Sequence, residues 1–532
     1  MIVVLLVSWS AATVMAQPMI VPDTTSAGQL RVDEVMGMID GNYVERPDMD
    51  KMGETAINAM LKALDPHSVY IPAREVKRAN EGLQGNFEGV GVSFQIVSDT
   101  IVFTDVIAGG PSEKVGIMAG DRLLRVDGKP ATGDSIGNDF VFRHLRGEKG
   151  TEVVLDILRE GRQYTFRVVR DKIPIYSIDT YFMANDSTGY IRLTRFARTS
   201  IDEFHKAMKS LKGQGMRGMI LDLRGNTGGF LDIAYRMANE FLEREQLIVY
   251  TMGRASPRQN FRANGRGGWK AVRGEDGSIV GNRLVVLIDE GSASASEIVS
   301  GAVQDWDRGV LVGRRSFGKG LVQRMFPMKD GGQVRLTTAR YYTPSGRCIQ
   351  RPYDEGTDAY RKDVGQRMKH GEMVNADSIH FVDSLKYTTA GGRIVYGGGG
   401  IMPDVFVPMD TMRLTDYFIS LRGNGLLNQF PLQWVNTHRA DERLQNFADF
   451  ESHYDQLGID TLLAAEAERH GIVRDRDKEA AEPDRTRHSD RYLSLLLKAQ
   501  VARYLYGIEY YYQVMKADDE GYRRACEVMW QD

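Results

Sequence analysis

The residues of this chain that could carry out covalent chemistry lie in a short segment near its middle. The stretch LVVLIDEGSASASEIVSGAVQDW (284–306) reads as a buried strand, a turn and a helix. A serine at such a turn is exposed, and the unpaired N–H groups of the first helical turn would stabilise an oxyanion beside it. Ser294 and Glu297 also form the pattern S-x-x-E, which can be an ordinary helix cap. The segment therefore indicates either a nucleophilic serine or a simple helix start.

A lysine in a second segment could activate that serine. In RRSFGKGLVQ (314–323), Lys319 stands between two glycines, directly before a predicted buried strand. Since strand residues two apart share a face, Lys319, Leu321 and Gln323 would project to the same side. A lysine whose pKa is lowered by burial can take the proton of a serine hydroxyl. Gln323 could orient the amine by accepting a hydrogen bond without adding charge. A solvated lysine in a glycine turn is the alternative.

The loop RGNTGG (224–229) could complete an oxyanion site, because it joins a buried strand to a predicted helix. Its glycines could bring a backbone N–H close to a substrate carbonyl, although any tight turn can carry two glycines. A phosphate-binding loop is excluded because the pattern G-x-x-x-x-G-K-[ST] is absent.

A Ser–His–Asp triad is the alternative to a lysine base. The chain has nine histidines, but sequence order selects none of them as a partner for the serine. His67 follows a proline, and His144 and His205 lie in predicted helices outside the strand–turn–helix segment, or elbow, that carries Ser294. The sequence therefore favours the lysine.

The surrounding pattern predicts the elements that hold these residues. Alternating strands and helices between Ser177 and about Pro408, with the continuous apolar strand GMILDL (218–223), are typical of an α/β core. Short strands and glycine-bearing turns precede this core, from Phe87 to about Arg170. Three further expectations concern individual segments. The four-residue spacing of Met52, Ala56, Met60 and Leu64 predicts one buried helix face. Gly253–Gly281 is expected to be a surface loop, and the charged stretch Arg474–Arg491 a mobile connection.

Composition and charge narrow the class of protein. The chain has 532 residues, 42% of them hydrophobic, and a net charge of −3, which is typical of a soluble protein with several domains. The chain has no long basic stretch, so nucleic acid is not an expected partner. The two cysteines, Cys348 and Cys526, form no disulfide framework, and no paired Cys/His spacing indicates a zinc site.

The amino terminus predicts export. Met1–Ala16 is uncharged and largely apolar, and it ends in small residues of the kind a signal peptidase reads. An ordinary buried segment is the alternative. A permanent membrane-spanning anchor needs about 20 apolar residues, and this stretch is shorter. We therefore expect no permanent anchor, and membrane association at most through this stretch. The predicted location is the periplasm or cell envelope.

Eight segments resemble, in the same order, motifs of the carboxyl-terminal processing protease family, which includes the tail-specific proteases. The resemblance covers about residues 29–410, and the motifs are specific as a set although none is specific alone. The segments are LDPHSVY (64–70), GVGVSF (89–94), LRGEKGT (145–151), ILDLRGNTGG (220–229), GSASASEI (291–298), SFGKGLVQ (316–323), YYTPSGRCIQ (341–350) and GIMPDVFVP (400–408).

The resemblance implies a serine endopeptidase of the Ser–Lys type that needs no metal or cofactor. Ser294, the central serine of SASAS, would be the nucleophile, Lys319 its general base and Gln323 the residue that orients the lysine. The separation of 25 positions between Ser294 and Lys319 agrees with the family. Backbone N–H groups of Ala295 and of Gly228 or Gly229 would form the oxyanion hole.

The resemblance also implies a multi-domain α/β fold with a core like those of crotonase and Clp protease. An inserted, β-rich PDZ domain would bind a terminal carboxylate through N–H groups of Gly89, Val90, Gly91 and Val92. The expected regions are a signal peptide (1–16), a helical region (17–83), the PDZ domain (84–170), the protease core (171–411) and a carboxyl-terminal helical region without a matching motif (412–532).

Two functions of other kinds remain open at this point. The chain could be a non-catalytic PDZ scaffold or chaperone for exported proteins, although such a platform has no use for a serine, lysine and glutamine set. It could also be a hydrolase that uses the elbow serine on esters. The expected partners are proteins or peptides with free carboxyl termini, and a homo-oligomer or an adaptor protein is compatible with the sequence.

Overall fold

The computed structural model describes residues 26–97, 99–107, 109–133, 136–275 and 277–531. The predicted signal peptide lies outside the described residues. The chain divides into two compact units. The smaller unit comprises residues 26–76 and Gln323–Thr337, and the larger comprises Lys77–Val322 and residues 338–531.

The helices and strands follow one another in four stretches of the chain. The first stretch contains α1 (Ala27–Asn42), α2 (Met49–Lys62), β1 (Val69–Ile71) and α3 (Ala73–Gln84). The second contains β2 (Asn86–Gly89), β3 (Val92–Val97), β4 (Thr100–Val106), α4 (Pro111–Lys114), β5 (Arg122–Val126), β6 (Lys129–Pro130), α5 (Asn138–His144), β7 (Glu152–Arg159), β8 (Arg162–Val169) and β9 (Asp171–Pro174).

The third stretch contains β10 (Ile178–Met183), β11 (Thr188–Leu193), α6 (Ser200–Gly213), β12 (Gly218–Asp222), α7 (Leu231–Asn239), β13 (Leu247–Gly253), β14 (Ser256–Arg262), β15 (Val272–Arg273), β16 (Ile279–Gly281), β17 (Arg283–Ile288), α8 (Ala295–Asp305), β18 (Val310–Gly313), β19 (Leu321–Pro327), β20 (Gln333–Tyr342), α9 (Thr357–Lys369), β21 (Lys386–Thr388), β22 (Ile394–Tyr396) and β23 (Val405–Phe406). The fourth contains α10 (Asp416–Gly423), α11 (Leu426–His438), α12 (Phe447–His453), α13 (Ile459–Arg469), α14 (Arg476–Ala481), α15 (Pro483–Tyr506), α16 (Ile508–Met515) and α17 (Glu520–Val528).

The smaller unit combines helices with a short antiparallel strand pair. Strand β1 pairs with the first residues of β20, with Val69 opposite Arg335. The expectation of one buried face on the second helix is wrong in part, because α2 ends at Lys62 and two of the four residues are exposed. Leu61 is the buried residue of this helix, whereas the exposed fractions are 51% for Met60 and 60% for Leu64.

The β-rich part of the larger unit is a small antiparallel sheet with two short helices, α4 and α5. Its strand order is β3-β4-β5-β7-β8, so β3 is an edge strand. The inward side chains of these strands form a closed apolar core together with Val141 of α5. The predicted strands and turns of this region are confirmed.

The core is a six-stranded sheet in the order β10-β11-β12-β17-β18-β23, parallel except for the antiparallel pair β10–β11. All five residues of β12 are buried, as the apolar run GMILD predicts for a strand covered on both faces. Helices α6, α7 and α8 pack against one face. The other face packs against Tyr522, Ala525 and Val528 of the last helix, α17, and against Met529 directly after it.

Two predictions about connecting segments are wrong, the first of them in part. Most described residues of the first stretch are exposed or half-buried, as expected of a surface segment, but the stretch is not a simple loop. Residues Gly253–Gly281 contain strand β14, which pairs with β13, and a fully buried Trp269. Residues Arg474–Arg491 are mostly helical, because they include α14 and the start of α15. The Arg474 guanidinium contacts Asp490 at 2.6 Å and Glu479 at 2.9 Å, and these ion pairs accommodate the charges within ordered structure.

Helices α10 to α13, α15 and α16 enclose a second apolar core that also includes Val102 of β4. Within the larger unit this bundle contacts the β-rich part at a loop, where Arg439 donates to the carbonyl of Ala119 at 2.9 Å. In the part of the chain that the structure describes, every helix is too short or too polar to cross a membrane.

Candidate active site

The turn between β17 and α8 has the geometry of a strained elbow. Ser294, directly before the helix, has φ 56° and ψ −110°, a conformation that a residue with a Cβ rarely adopts. Such strain costs about 1–3 kcal/mol and persists only where the surroundings enforce it. Here the buried Tyr341 hydroxyl donates to the Ser294 carbonyl at 3.1 Å, while Glu297 Oε2 accepts from the Ser294 N–H at 2.8 Å.

The structure distinguishes the three serines of SASAS. The hydroxyl of Ser292 is fully buried and donates to the carbonyl of Leu223 at 2.8 Å. The hydroxyl of Ser296 is also fully buried and donates to the carbonyl of Asn226 at 2.8 Å. Ser294 is only half-buried, so it is the serine of this segment that a substrate could reach.

The Glu297 carboxylate links the elbow to the loop that carries Lys319. Its Oε2 accepts from the N–H groups of Ser294 at 2.8 Å and Lys319 at 2.9 Å. Its Oε1 accepts from the Ser316 hydroxyl at 2.5 Å and the Gly318 N–H at 2.7 Å. Burial raises the pKa of Glu297, and these four hydrogen bonds oppose the rise. The side chain therefore fixes two distant segments against each other.

This role of Glu297 is what the sequence did not predict. The S-x-x-E pattern correctly placed its carboxylate on the Ser294 N–H. The contacts to residues 316–319 could be found only from the fold, because they join positions about twenty residues apart.

The lysine loop has further backbone contacts on both sides. Phe317 N–H donates to the carbonyl of Ser292 at 3.0 Å. Gly320 N–H donates to Gln350 Oε1 at 2.8 Å, and the Gly320 carbonyl accepts from Tyr341 N–H at 2.9 Å. Residues on three other segments thus hold the backbone around Lys319, as a residue with a fixed geometric task requires.

The glycine loop 224–229 lies directly against the elbow. A Cβ placed on Gly228 would lie 2.8 Å from the Ser294 Cβ and 3.0 Å from the Ala295 nitrogen, so this approach requires glycine. Gly228 has φ 103° and donates its N–H to Asn226 Oδ1 at 2.9 Å. Gly229 forms a parallel bridge with Phe196. The structure therefore brings together the glycine loop, the serine elbow and the lysine loop.

Asp289, directly after β17, connects the glycine loop to the turn that leads to Ser294. Its Oδ1 accepts from the N–H groups of Gly225 at 2.8 Å and Gly291 at 3.0 Å. Burial, followed by the neighbouring Glu290 carboxylate, raises the pKa of Asp289. The carboxylate thus ties the start of the glycine loop to the turn after β17.

The structure also gives hydrogen bonds for Gln323 and for two of the histidines considered as alternatives. Gln323, in the smaller unit, donates through Nε2 to the carbonyl of His67 at 2.6 Å. His144 Nδ1 lies 2.8 Å from the Phe140 carbonyl within α5, and His205 Nε2 lies 3.0 Å from Glu240 Oε1. These contacts account for His144 and His205 without a catalytic role.

The predicted carboxylate-binding residues lie where β2 ends and the edge strand β3 begins. Val90 is buried, and its carbonyl accepts from the Ser112 N–H at 3.1 Å and hydroxyl at 2.7 Å. Gly91 has φ 81°, and a Cβ there would lie 3.0 Å from Ile173. Val92 opens β3, which pairs with β4 along one edge. Within the described ranges, no group of three or more His, Cys, Asp or Glu side chains could hold a metal ion.

Comparison with known families finds three matches. Residues 187–359 match the model of Peptidase family S41, and residues 89–169 match that of the PDZ domain. Residues 417–507 match a family of unknown function, DUF8443.

Two curated proteins illustrate the similarity in sequence. The chain is 36% identical over 329 residues to a carboxy-terminal-processing protease of Bartonella bacilliformis, covering 60% of this chain and 72% of that protein. It is 32% identical over 327 residues to a probable CtpA-like serine protease of Staphylococcus aureus strain N315, covering 61% of this chain and 63% of that protein. The chain thus matches less than two thirds of the staphylococcal relative.

Solved structures give weaker matches. The photosystem II D1 C-terminal processing protease is 25% identical, with 73% of this chain and 95% of that chain covered and a TM-score of 0.36. The PDZ domain of the Vibrio cholerae carboxy-terminal protease, in complex with peptide, is 29% identical, with 16% and 97% covered and a TM-score of 0.15. These TM-scores are too low to support a conclusion about this chain.

Proposed function

The chain belongs to the carboxy-terminal-processing protease family and is a serine-type peptidase with a PDZ domain, and on this premise we propose that Ser294 and Lys319 form its catalytic pair. The observation that carries the proposal is the Glu297 carboxylate, which accepts from the backbone N–H groups of both residues at 2.8 and 2.9 Å. One oxygen atom thus sets the separation of the two backbones, which would place a lysine amine within reach of a serine hydroxyl.

In the proposed reaction, neutral Lys319 takes the hydroxyl proton of Ser294 while the serine oxygen attacks the scissile carbonyl. The tetrahedral intermediate collapses to an acyl-enzyme as the lysine returns the proton to the leaving amine. Water then attacks the ester while Lys319 takes its proton, and the lysine passes that proton to the Ser294 oxygen as the new carboxyl terminus leaves. These steps need no group beyond the side chains, the backbone and water.

We further propose that the N–H groups of Ala295 and Gly229 stabilise the oxyanion. Ala295 is the first residue of α8, so the helix itself offers no acceptor for its N–H. Gly229 is favoured over Gly228 because the Gly228 N–H already donates to Asn226 Oδ1. Two such donors, aimed at the developing charge, typically supply several kcal/mol of transition-state stabilisation.

Gln323 remains the proposed orienting residue for the lysine amine. Its Nε2 donates to the carbonyl of His67 at 2.6 Å, and this bond fixes the direction of the side-chain amide. An amide oxygen can then accept from an amine without the charge that would stabilise the protonated lysine.

Substrate recognition is proposed to occur at the PDZ domain. A peptide could add to the open edge of β3, with its terminal carboxylate facing the N–H groups of residues 89–92 and its last side chain in an adjacent apolar pocket. The substrates would be exported proteins or peptides with free carboxyl termini. The apolar segment Met1–Ala16 supports export to the periplasm or cell envelope.

Amidation of the substrate tests this recognition. An unstructured polypeptide with an apolar carboxyl terminus should be cleaved with a kcat/KM about 10- to 100-fold higher than its carboxamide, because the amide loses charge-assisted hydrogen bonds. The loss should fall mainly on KM. Equal cleavage of both forms would remove carboxylate recognition from the proposal and leave the Ser294–Lys319 chemistry to be judged separately.

A further inference from the structure

A buried cluster of charges holds the base of the glycine loop. Asp222, the last residue of β12, is fully buried and accepts from the Tyr190 hydroxyl at 2.6 Å and from Arg192 Nη1 at 2.9 Å. Arg224, the first residue of the loop, donates to the same carboxylate through its backbone N–H at 2.9 Å and its guanidinium at 2.6 Å. The loop therefore leaves the sheet from a fixed point.

The carboxyl-terminal segment supplies the second carboxylate of this cluster. Asp519, directly before α17, receives two parallel hydrogen bonds from Arg224, at 2.8 Å to Oδ1 and 2.7 Å to Oδ2. Arg224 is thus clamped between Asp222 on the core sheet and Asp519 on a segment 295 positions later. Bidentate pairs of this kind fix orientation as well as distance.

The same segment also contacts the second arginine of the cluster. The Arg192 guanidinium lies 4.9 Å from the centre of the Tyr512 ring, and its Nη2 donates to the carbonyl of Arg224 at 3.3 Å. The Tyr512 hydroxyl donates to Asp179 Oδ2 at 3.1 Å. Both arginines that bind Asp222 therefore contact the carboxyl-terminal part of the chain, Arg192 through Tyr512 of α16 and Arg224 through Asp519 directly before α17.

Charge balance explains why Asp519 matters. Asp222 alone faces two guanidinium groups, and Asp519 brings the cluster to two positive and two negative groups. Removing one carboxylate would leave an unbalanced charge in a largely buried site. The Arg224 side chain would then lose one of its two carboxylate partners.

We propose that Asp519 is a positioning residue for the oxyanion loop and that it acts through Arg224. The loop is anchored at its start by Arg224 and at Asn226, whose carbonyl accepts from Ala293 N–H at 2.9 Å. A shift of Arg224 would therefore move the Gly229 N–H relative to Ser294. This inference rests on the proposed Ser–Lys function.

The test is Asp519→Asn, assayed in the full chain on the unstructured substrate. Asparagine keeps the oxygen that accepts from the Tyr522 N–H at 3.0 Å and caps α17, but it cannot neutralise Arg224. We expect kcat to fall about 10- to 100-fold, because an oxyanion-hole N–H that is out of line with the oxyanion stabilises the transition state less. KM and the affinity for a carboxyl-terminal peptide should stay within about twofold, and Asp519→Glu should recover part of kcat.

The matched control is Asp518→Asn, which removes the same charge one residue earlier. Asp518 pairs with Arg413 at 3.1 Å rather than with Arg224, so its kcat should remain near that of the wild type. A peptide aldehyde, which forms a tetrahedral adduct with a nucleophilic serine, should bind Asp519→Asn more weakly by the same factor as the loss in kcat.

Wild-type kcat in Asp519→Asn, or an equal loss in Asp518→Asn, would overturn the inference. Should Asp519→Asn fail to fold, Arg224→Lys tests the same contact, because lysine keeps the charge but cannot bind two carboxylates bidentately. Its kcat must then fall with KM unchanged, and a wild-type kcat would again overturn the inference. Cleavage that persists in Ser294→Ala would instead show that the proposed function is wrong, an outcome separate from either result.

Discussion

Replacing Ser294 with alanine is expected to lower kcat/KM for an unstructured polypeptide by about 10⁴-fold or more, the size of effect that removal of a nucleophile has in other serine peptidases. The reason is geometric as well as chemical. Ser294 is the half-buried serine of SASAS, it lies against Gly228, and its strained backbone is held by Glu297 and Tyr341. The measurement is the appearance of new carboxyl termini by mass spectrometry.

A serine within α8, the helix that follows Ser294, provides the control. Ser300 is buried on α8 and donates to the carbonyl of Ser296 at 2.8 Å. Ser300→Ala should therefore cost about 1 kcal/mol of folding free energy and leave kcat within about threefold. If Ser294→Ala keeps more than a hundredth of wild-type activity while folded, Ser294 is not the nucleophile.

Lys319→Ala is expected to lower kcat about 10³-fold, within the range that a general base contributes. Lys319→Arg should lower it by a similar factor, because a guanidinium keeps the positive charge yet stays protonated and cannot accept a proton. Both variants should still bind a carboxyl-terminal peptide, since the PDZ residues are untouched. Single-turnover cleavage and peptide affinity, measured together, separate a loss of the chemical step from a loss of substrate binding.

An exposed lysine elsewhere in the chain controls for loss of charge. Lys329 lies on the surface, in the turn between β19 and β20, and Lys329→Ala should cleave at the wild-type rate. Wild-type cleavage by Lys319→Ala would remove this residue as the base and return attention to a histidine partner.

Several features of the site could be predicted because they depend on local pattern. The buried strands before Asp222 and Asp289 follow from continuous apolar runs, and the turns after them follow from glycine and serine at the strand ends. The S-x-x-E pattern placed Glu297 on the Ser294 N–H. The family resemblance added the order of the segments, which local pattern alone does not supply.

The features that could not be predicted depend on contacts between distant segments. Trp269 is fully buried within a stretch rich in Gly, Arg and Asn, and composition alone favours a surface loop there. Helix α17 has a polar sequence, yet its apolar side covers one face of the core sheet. The pairing of Arg224 with Asp519 joins residues 295 positions apart, and no periodicity connects them.

The measurement that tests the Ser–Lys account most directly is the pH dependence of single-turnover cleavage by the wild-type chain from pH 5 to 10. Only the neutral amine of Lys319 can accept the serine proton, so the rate should be low while the amine is charged and rise tenfold per pH unit. It should level off once pH exceeds the pKa of that amine. A rate that is flat across this range would contradict the account, because it would show that no lysine has to lose its proton before Ser294 attacks.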